Sequence, residues 1–215
     1  MSRFKKICGI VGLILLLSAT LAVAGPVNLD DPVFQDFNRI LFFKGQQGYV
    51  ITEHHMCDQY FGFNAHTTSS NNGIYILENA FRGTPYLTNV LENSYCVNGD
   101  YQGQKLEGGG FLSPNLNYDA DKIVFSYTDG VHSQTWTPNT TYHIFTANLD
   151  GSNLTQVTSG VNNDIHPTWM PDGKILFISD RRGGYGRCHG RPVPTFTLYT
   201  IDPDGSDIRC ISYHE

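Results

Sequence analysis

The chain has 215 residues and a net charge of −6; 40% are hydrophobic, 13% aromatic and 16% charged. That balance excludes a disordered chain, which combines low hydrophobicity with high charge, and a coiled coil, which needs far more Ala, Glu, Lys, Leu and Arg. The acidic excess also argues against a general nucleic-acid binder, whose footprint is basic.

The first segment reads as an address. Arg3, Lys5 and Lys6 precede an almost wholly apolar run, Ile7–Ala24, which ends in Ala22-Val23-Ala24 before Gly25-Pro26. A basic start, an apolar stretch and a small-x-small site make a secretory signal peptide, expected to be cut after Ala24. Cys8 lies inside the apolar run, far from the cut, so a lipoprotein site is not supported. Removing three basic residues and no acidic one takes the charge from −6 to −9. No second apolar run of membrane length, about 20 residues, follows. The expected product is periplasmic or extracellular, with no membrane association after cleavage. Cys57, Cys96, Cys188 and Cys210 remain in a compartment that permits disulfides. Four cysteines allow three pairings, and the sequence does not choose among them.

The rest of the chain repeats. Ile40–Lys44 and Gly73–Leu77 read as strands of a degenerate first unit, assigned to 25–110 with long insertions. Phe81–Asn93 is the one helical candidate, and Pro85 interrupts it. Pro114-Asn115-Leu116-Asn117-Tyr118-Asp119 then precedes Lys122–Phe125, and Pro167-Thr168-Trp169-Met170-Pro171-Asp172 precedes Lys174–Phe177. Tyr142–Thr146 leads to Asp150-Gly151-Ser152, and Thr197–Thr200 leads to Asp204-Gly205-Ser206. The copies are 52 to 54 positions apart, and they define units at 111–162 and 163–215. In the second copy the spacing predicts strands Lys174–Ser179, Phe196–Ile201 and Ile208–Ser212. Pro171-Asp172-Gly173 opens the first, a loop leads to the second, and Asp204-Gly205 turns the second into the third, since Gly accepts positive φ and Asp bonds the turn backbone. Short strands rich in β-branched and aromatic residues, in units of about 40 to 50 residues, predict an all-β fold: a partial β-propeller of about three blades of four-stranded antiparallel sheets.

The motif Asp164-x-x-Pro167-x-Trp169-x-Pro171-Asp172-Gly173-Lys174-Ile175-x-Phe177-x-Ser179 closely resembles the TolB-type, WD-like propeller repeat. So does Ile144-Phe145-x-x-x-Leu149-Asp150-Gly151-Ser152-Asn153-Leu154-Thr155-Gln156-Val157-Thr158. Cys57–Gly62, Gly73–Asn79, Gly109–Pro114 and Asp180–Pro194, running on to Ser212–Glu215, look like the propeller-containing middle region of the hydrazine synthase alpha subunit and its secreted relatives. The resemblance covers roughly Leu41 to Glu215. It implies a large exported multidomain protein, joined in hydrazine synthase to c-type haem domains within a complex. Covalent haem needs Cys-x-x-Cys-His, and no cysteine here has that context. Three blades do not close a ring, since propellers use 4 to 8. The expectation is therefore a fragment of a larger protein; the alternative is a three-unit protein that self-associates through its open edge.

Candidate chemistry sits in two places. Glu53-His54-His55-Met56-Cys57-Asp58 packs metal-ligand types closely, and alternation along a strand would let His55 and Cys57 face one way. Cys188-His189 adds two more donors. The resemblance implies zinc, with Cys188 and Asp58 facing the metal; the competing expectations are a Cys57–Cys188 or Cys188–Cys210 disulfide, or plain buried thiols. The segment Arg181–Pro194 carries Arg181, Arg182, Arg187 and Arg191 among glycines. Guanidinium groups grip carboxylates or phosphates, which predicts an anion or partner site. The competing expectation is structural: arginines tied to Asp172, Asp180 or backbone carbonyls. Asp119, Asp121, Asp150, Asp172 and Asp204 are expected to serve turns. No Gly-x-Ser-x-Gly, P-loop or His-Glu-x-x-His motif is present, and Asp202–Asp207 lacks the terminal acid of a calcium loop. The functional expectation is an exported binding or scaffold segment holding a protein partner or neighbouring domain. The alternative is part of an oxidoreductase resembling the hydrazine synthase alpha subunit.

Overall fold

Strand side chains alternate between two faces, so a strand apolar at every position must be covered on both. Ile123-Val124-Phe125-Ser126-Tyr127 is apolar on both faces, with Ser126 its one polar interruption, and all five residues are buried. The computed structural model, which describes residues 38–45, 72–129, 141–188 and 191–212, shows what covers them. A first sheet contains β1 (Arg39–Lys44), β2 (Gly73–Glu78) and β3 (Tyr86–Asn89) in the order β1-β2-β3. A second contains β4 (Gly110–Leu116), β5 (Lys122–Thr128), β6 (His143–Asn148) and β7 (Thr155–Gln156), also in chain order. The third begins with β8 (Asp164–Trp169) and β9 (Ile175–Ser179). A separate hairpin, β10 (Tyr185–Cys188) and β11 (Arg191–Pro194), intervenes before β12 (Thr197–Ile201) and β13 (Arg209–Cys210) complete the sheet as β13-β12-β9-β8.

The fold is all-β: three antiparallel sheets in series, with no α-helix among the described residues. Each later sheet packs its first strand on the one before: β4 against β1 and β2, β8 against β4 and β5. That is blade-on-blade stacking. One face of β5 (Ile123, Phe125, Tyr127) joins Ile74 and Ile76 of the first sheet in one core. The other face (Val124) joins Trp169, Ile175, Phe177 and Tyr199 in a second. Aromatic rings fill the first core, with Tyr101 meeting Tyr127 and Phe145 edge-on at centroid distances of 5.8 and 5.6 Å.

Three details differ from the sequence expectation. Among the described residues the first sheet has three strands rather than four. Within the segment Arg181–Pro194, expected as a loop, β10 and β11 pair from Tyr185↔Pro194 to Cys188↔Arg191. Pro192 and Pro194 are tolerated there because a two-stranded ribbon leaves every strand an edge. The last strand is two residues long, Arg209–Cys210.

The repeat is visible atom by atom at the turns. Asp150 Oδ1 accepts from Ser152 N at 2.9 Å and from Ser152 Oγ at 2.6 Å. Asp204 Oδ1 accepts from Ser206 N and Oγ at the same two distances. The edge of β7 is covered by the preceding segment: Asn98 Oδ1 accepts from Gln156 N at 2.8 Å, and Asn98 Nδ2 donates to Gln156 O at 3.1 Å. An edge sealed by a side-chain amide is unavailable to another strand.

Asn38 and the loop Asn79–Pro85 belong to a separate small unit. There Asn38 Oδ1 accepts from the backbone N–H of Phe81 at 3.0 Å and of Arg82 at 3.1 Å.

Candidate functional site

The sequence points first to the arginine-rich segment after β9. Antiparallel pairing sets Asp164 opposite Ser179, and the next turn brings Arg181 back over the same carboxylate. Asp164 is fully buried. Its Oδ1 accepts from Ser179 Oγ at 2.6 Å and from Arg181 Nε at 3.1 Å, while Oδ2 accepts from Arg181 Nη2 at 2.6 Å. Arg181 Nη2 also reaches the carbonyl of Ser159 at 3.4 Å. The guanidinium thus neutralises a buried carboxylate of its own sheet. Asp180 is occupied separately, accepting from Asn163 N at 2.9 Å and Nδ2 at 3.1 Å. Asn163 Oδ1 in turn accepts from Tyr142 N at 3.2 Å, tying the second sheet to the third. Arg182 is exposed in the turn. Arg187 lies on β10 and Arg191 on β11, where Arg191 is the backbone partner of Cys188.

The proposed metal donors are not assembled among the described residues. His55, Cys57, Asp58 and His189 lie outside them, and Cys188 is placed as the last paired residue of β10. Among the described residues no group of three or more His, Cys, Asp or Glu is arranged to hold a metal. Cys96 and Cys210 are free thiols. Cys210 Sγ is turned to the carbonyl of Ser212 at 3.1 Å, so the Cys188–Cys210 bridge is not formed.

A second constellation escaped the sequence reading. The first strands β4 and β8 each carry a bulge, between Leu112 and Asn115 and between Ile165 and Thr168. The residues in those bulges, Ser113 (φ 48°) and His166 (φ 53°), are both left-handed. Each precedes a proline. Across the sheet boundary Ser113 Oγ and His166 Nδ1 are 2.6 Å apart. Below them Thr168 Oγ1 donates to Asn115 Oδ1 at 3.2 Å. The signal was present in the repeat alignment: Ser113-Pro114 and His166-Pro167 are 53 positions apart. Partial burial holds the His166 imidazole below its ordinary pKa, although the residue keeps an exposed surface.

Two buried polar groups lie nearby. His143 carries a ring Nδ1 with no partner among the described residues, and burial lowers its pKa against the opposing field of Asp164. The Tyr142 hydroxyl is likewise without a partner, and burial raises its pKa.

Fold and repeat together define an all-β protein of stacked antiparallel blades. No protein-family model matches the chain. Dipeptidyl-peptidase 5 of Porphyromonas gingivalis is 42% identical over 48 residues, which is 22% of this chain and 7% of that protein. A structure described as TolB from Agrobacterium tumefaciens is 19% identical with a TM-score of 0.40, over 66% of this chain and 38% of that one. Puromycin hydrolase is 16% identical with a TM-score of 0.41, over 68% of this chain and 19% of that one. The chain thus spans well under half the length of each. Among the described residues no helix is long and apolar enough to cross a membrane.

Proposed function

We propose that the chain is an exported β-propeller module that serves as a binding or scaffold segment of a larger protein. One observation carries this reading. Pairing register makes Val124, Ser126 and Ile144 of the second sheet equivalent to Leu176, Ile178 and Leu198 of the third. The first three are fully buried by the neighbouring sheet. Leu176 and Ile178 are only half-buried, and Leu198 is 40% exposed. Ile211, whose N–H bonds the Leu198 carbonyl, is 49% exposed. The outer face of the third sheet repeats the apolar pattern of a covered face, and exposed contiguous apolar surface marks an interaction site. Its natural cover is a further β-sheet. Export rests on the Met1–Ala24 leader, which lies outside the described residues.

The test is the solution mass of the chain from Gly25, followed by light scattering over a range of concentrations. The expected result is concentration-dependent association that Leu198→Lys abolishes without changing the far-ultraviolet dichroism. A monomer at every concentration, with no uptake of an apolar dye, would overturn the proposal.

A further inference from the structure

The Ser113–His166 pair has a geometry that structural bridging alone does not demand. Six non-glycine residues among those described have positive φ; Asn79, Ala120, Asn153 and Asp207 sit outside the strands, and only Ser113 and His166 lie within them. A residue before proline is pushed toward extended backbone, and a left-handed conformation strains any residue but glycine. The strain is accepted twice, at equivalent places, and a bulge re-aims its side chain. Here both side chains are aimed at one another. The neighbouring Asn115–Thr168 bond already ties the same two strands.

We propose that Ser113 is a nucleophile and His166 its general base, forming a reactive site for small activated esters. A nucleophile and base within about 2.6–3.2 Å is the arrangement such chemistry needs, and the pair stands at 2.6 Å. An imidazole that stays neutral near pH 7 accepts the hydroxyl proton at Nδ1. Ser113 Oγ then forms a bond to the ester carbonyl carbon. The bond to the alkoxide breaks, and the imidazolium returns its proton to the departing alcohol. Water, deprotonated by the same imidazole, cleaves the acyl-serine to a carboxylic acid and regenerates the hydroxyl. No redox partner or metal enters. Ser113 is half-buried and His166 exposed, so a small substrate reaches both.

The test incubates the full chain with a fluorophosphonate and maps the adduct by mass spectrometry. Attack by Ser113 Oγ on phosphorus releases fluoride and leaves a stable ester. The expected result is one adduct on Ser113, absent in Ser113→Ala, and formed about 100-fold more slowly in His166→Asn, the lower end of what a general base contributes. No adduct on Ser113, or an adduct whose rate His166→Asn leaves unchanged, overturns the proposal. A measurement independent of the histidine substitution uses Ser113→Cys. Next to His166 that thiol is expected to react with iodoacetamide at pH 6 about tenfold faster than a Ser152→Cys thiol, because the thiolate is the reacting form. Equal rates overturn the proposal.

Discussion

At the scale of single residues, the buried charge of Asp164 is the most consequential feature outside the apolar core. A carboxylate taken from water must be neutralised and hydrogen-bonded, and removing one partner of a buried pair costs about 3–5 kcal/mol. Arg181 supplies two of the three side-chain bonds to Asp164, Ser179 the third. Arg181 is partly exposed at 24% of its side chain, so water offsets some of the loss. Arg181→Ala is expected to lower unfolding stability by about 2–3 kcal/mol, at or just below the lower end of that range. Arg182→Ala, in the exposed turn, should change it by no more than about 1 kcal/mol, the ceiling for an exposed charge interaction. Urea midpoints of the two variants check the contrast. The sequence made the arginines conspicuous and placed their partners among nearby acids such as Asp172 and Asp180. The actual partner of Arg181 is 17 residues away, because only strand pairing brings β8 beside β9. Ser113-Pro114 and His166-Pro167 share a repeat position, but that does not announce their contact, because it is made between sheets and their backbone conformation leaves no compositional trace.

At the scale of elements, the turns were the most legible feature, since their chemistry is local. Asp-Gly-Ser announces both the positive φ and the carboxylate cap, and both copies adopt them. What the turn does beyond itself is not local. Gly151 (φ 84°) and Gly173 (φ 86°) are equally left-handed. An added Cβ at Gly173 meets open space, whereas at Gly151 it runs into the backbone carbonyl oxygen of Val90. Ser94 Oγ also donates to the Gly151 carbonyl at 2.6 Å, so this turn is clamped by the segment after β3. Gly173→Ala is therefore expected to cost about 1 kcal/mol, the conformational penalty alone. Gly151→Ala must in addition displace backbone, and is expected to cost at least about 2 kcal/mol more, in the range of overpacking. Thermal unfolding of the two variants distinguishes them. The hairpin β10–β11 shows the opposite limit of legibility: Pro192 and Pro194 argue against a strand unless the strand is an edge, and sequence alone does not reveal the edge.

At the scale of the whole molecule, the repeat predicts more than a fold class, because equivalent positions have equivalent jobs only where a neighbour is present. Val124 and Leu176 occupy the same register in successive sheets, yet Val124 is fully buried while Leu176 is half-buried. A charge placed at each should then have opposite consequences. Val124→Lys puts an ammonium group between two packed sheets, among Trp169, Ile175 and Phe177; its desolvation is expected to prevent stable folding. Leu176→Lys places the same group where its stem can lie on the sheet and its charge reach water, so the fold is expected to survive with a loss of about 1 kcal/mol or less. The near-ultraviolet dichroism of the two variants, read beside their solution mass, makes the comparison. Retained packing in Leu176→Lys together with reduced association would tie the exposed face to assembly. Loss of packing in both variants would instead mean that the third sheet depends on this face for its own stability. The unbroken apolar run Ile175–Ile178 of β9 is legible in the sequence, but it says only that both faces want cover. Which face has it follows from the order of the sheets.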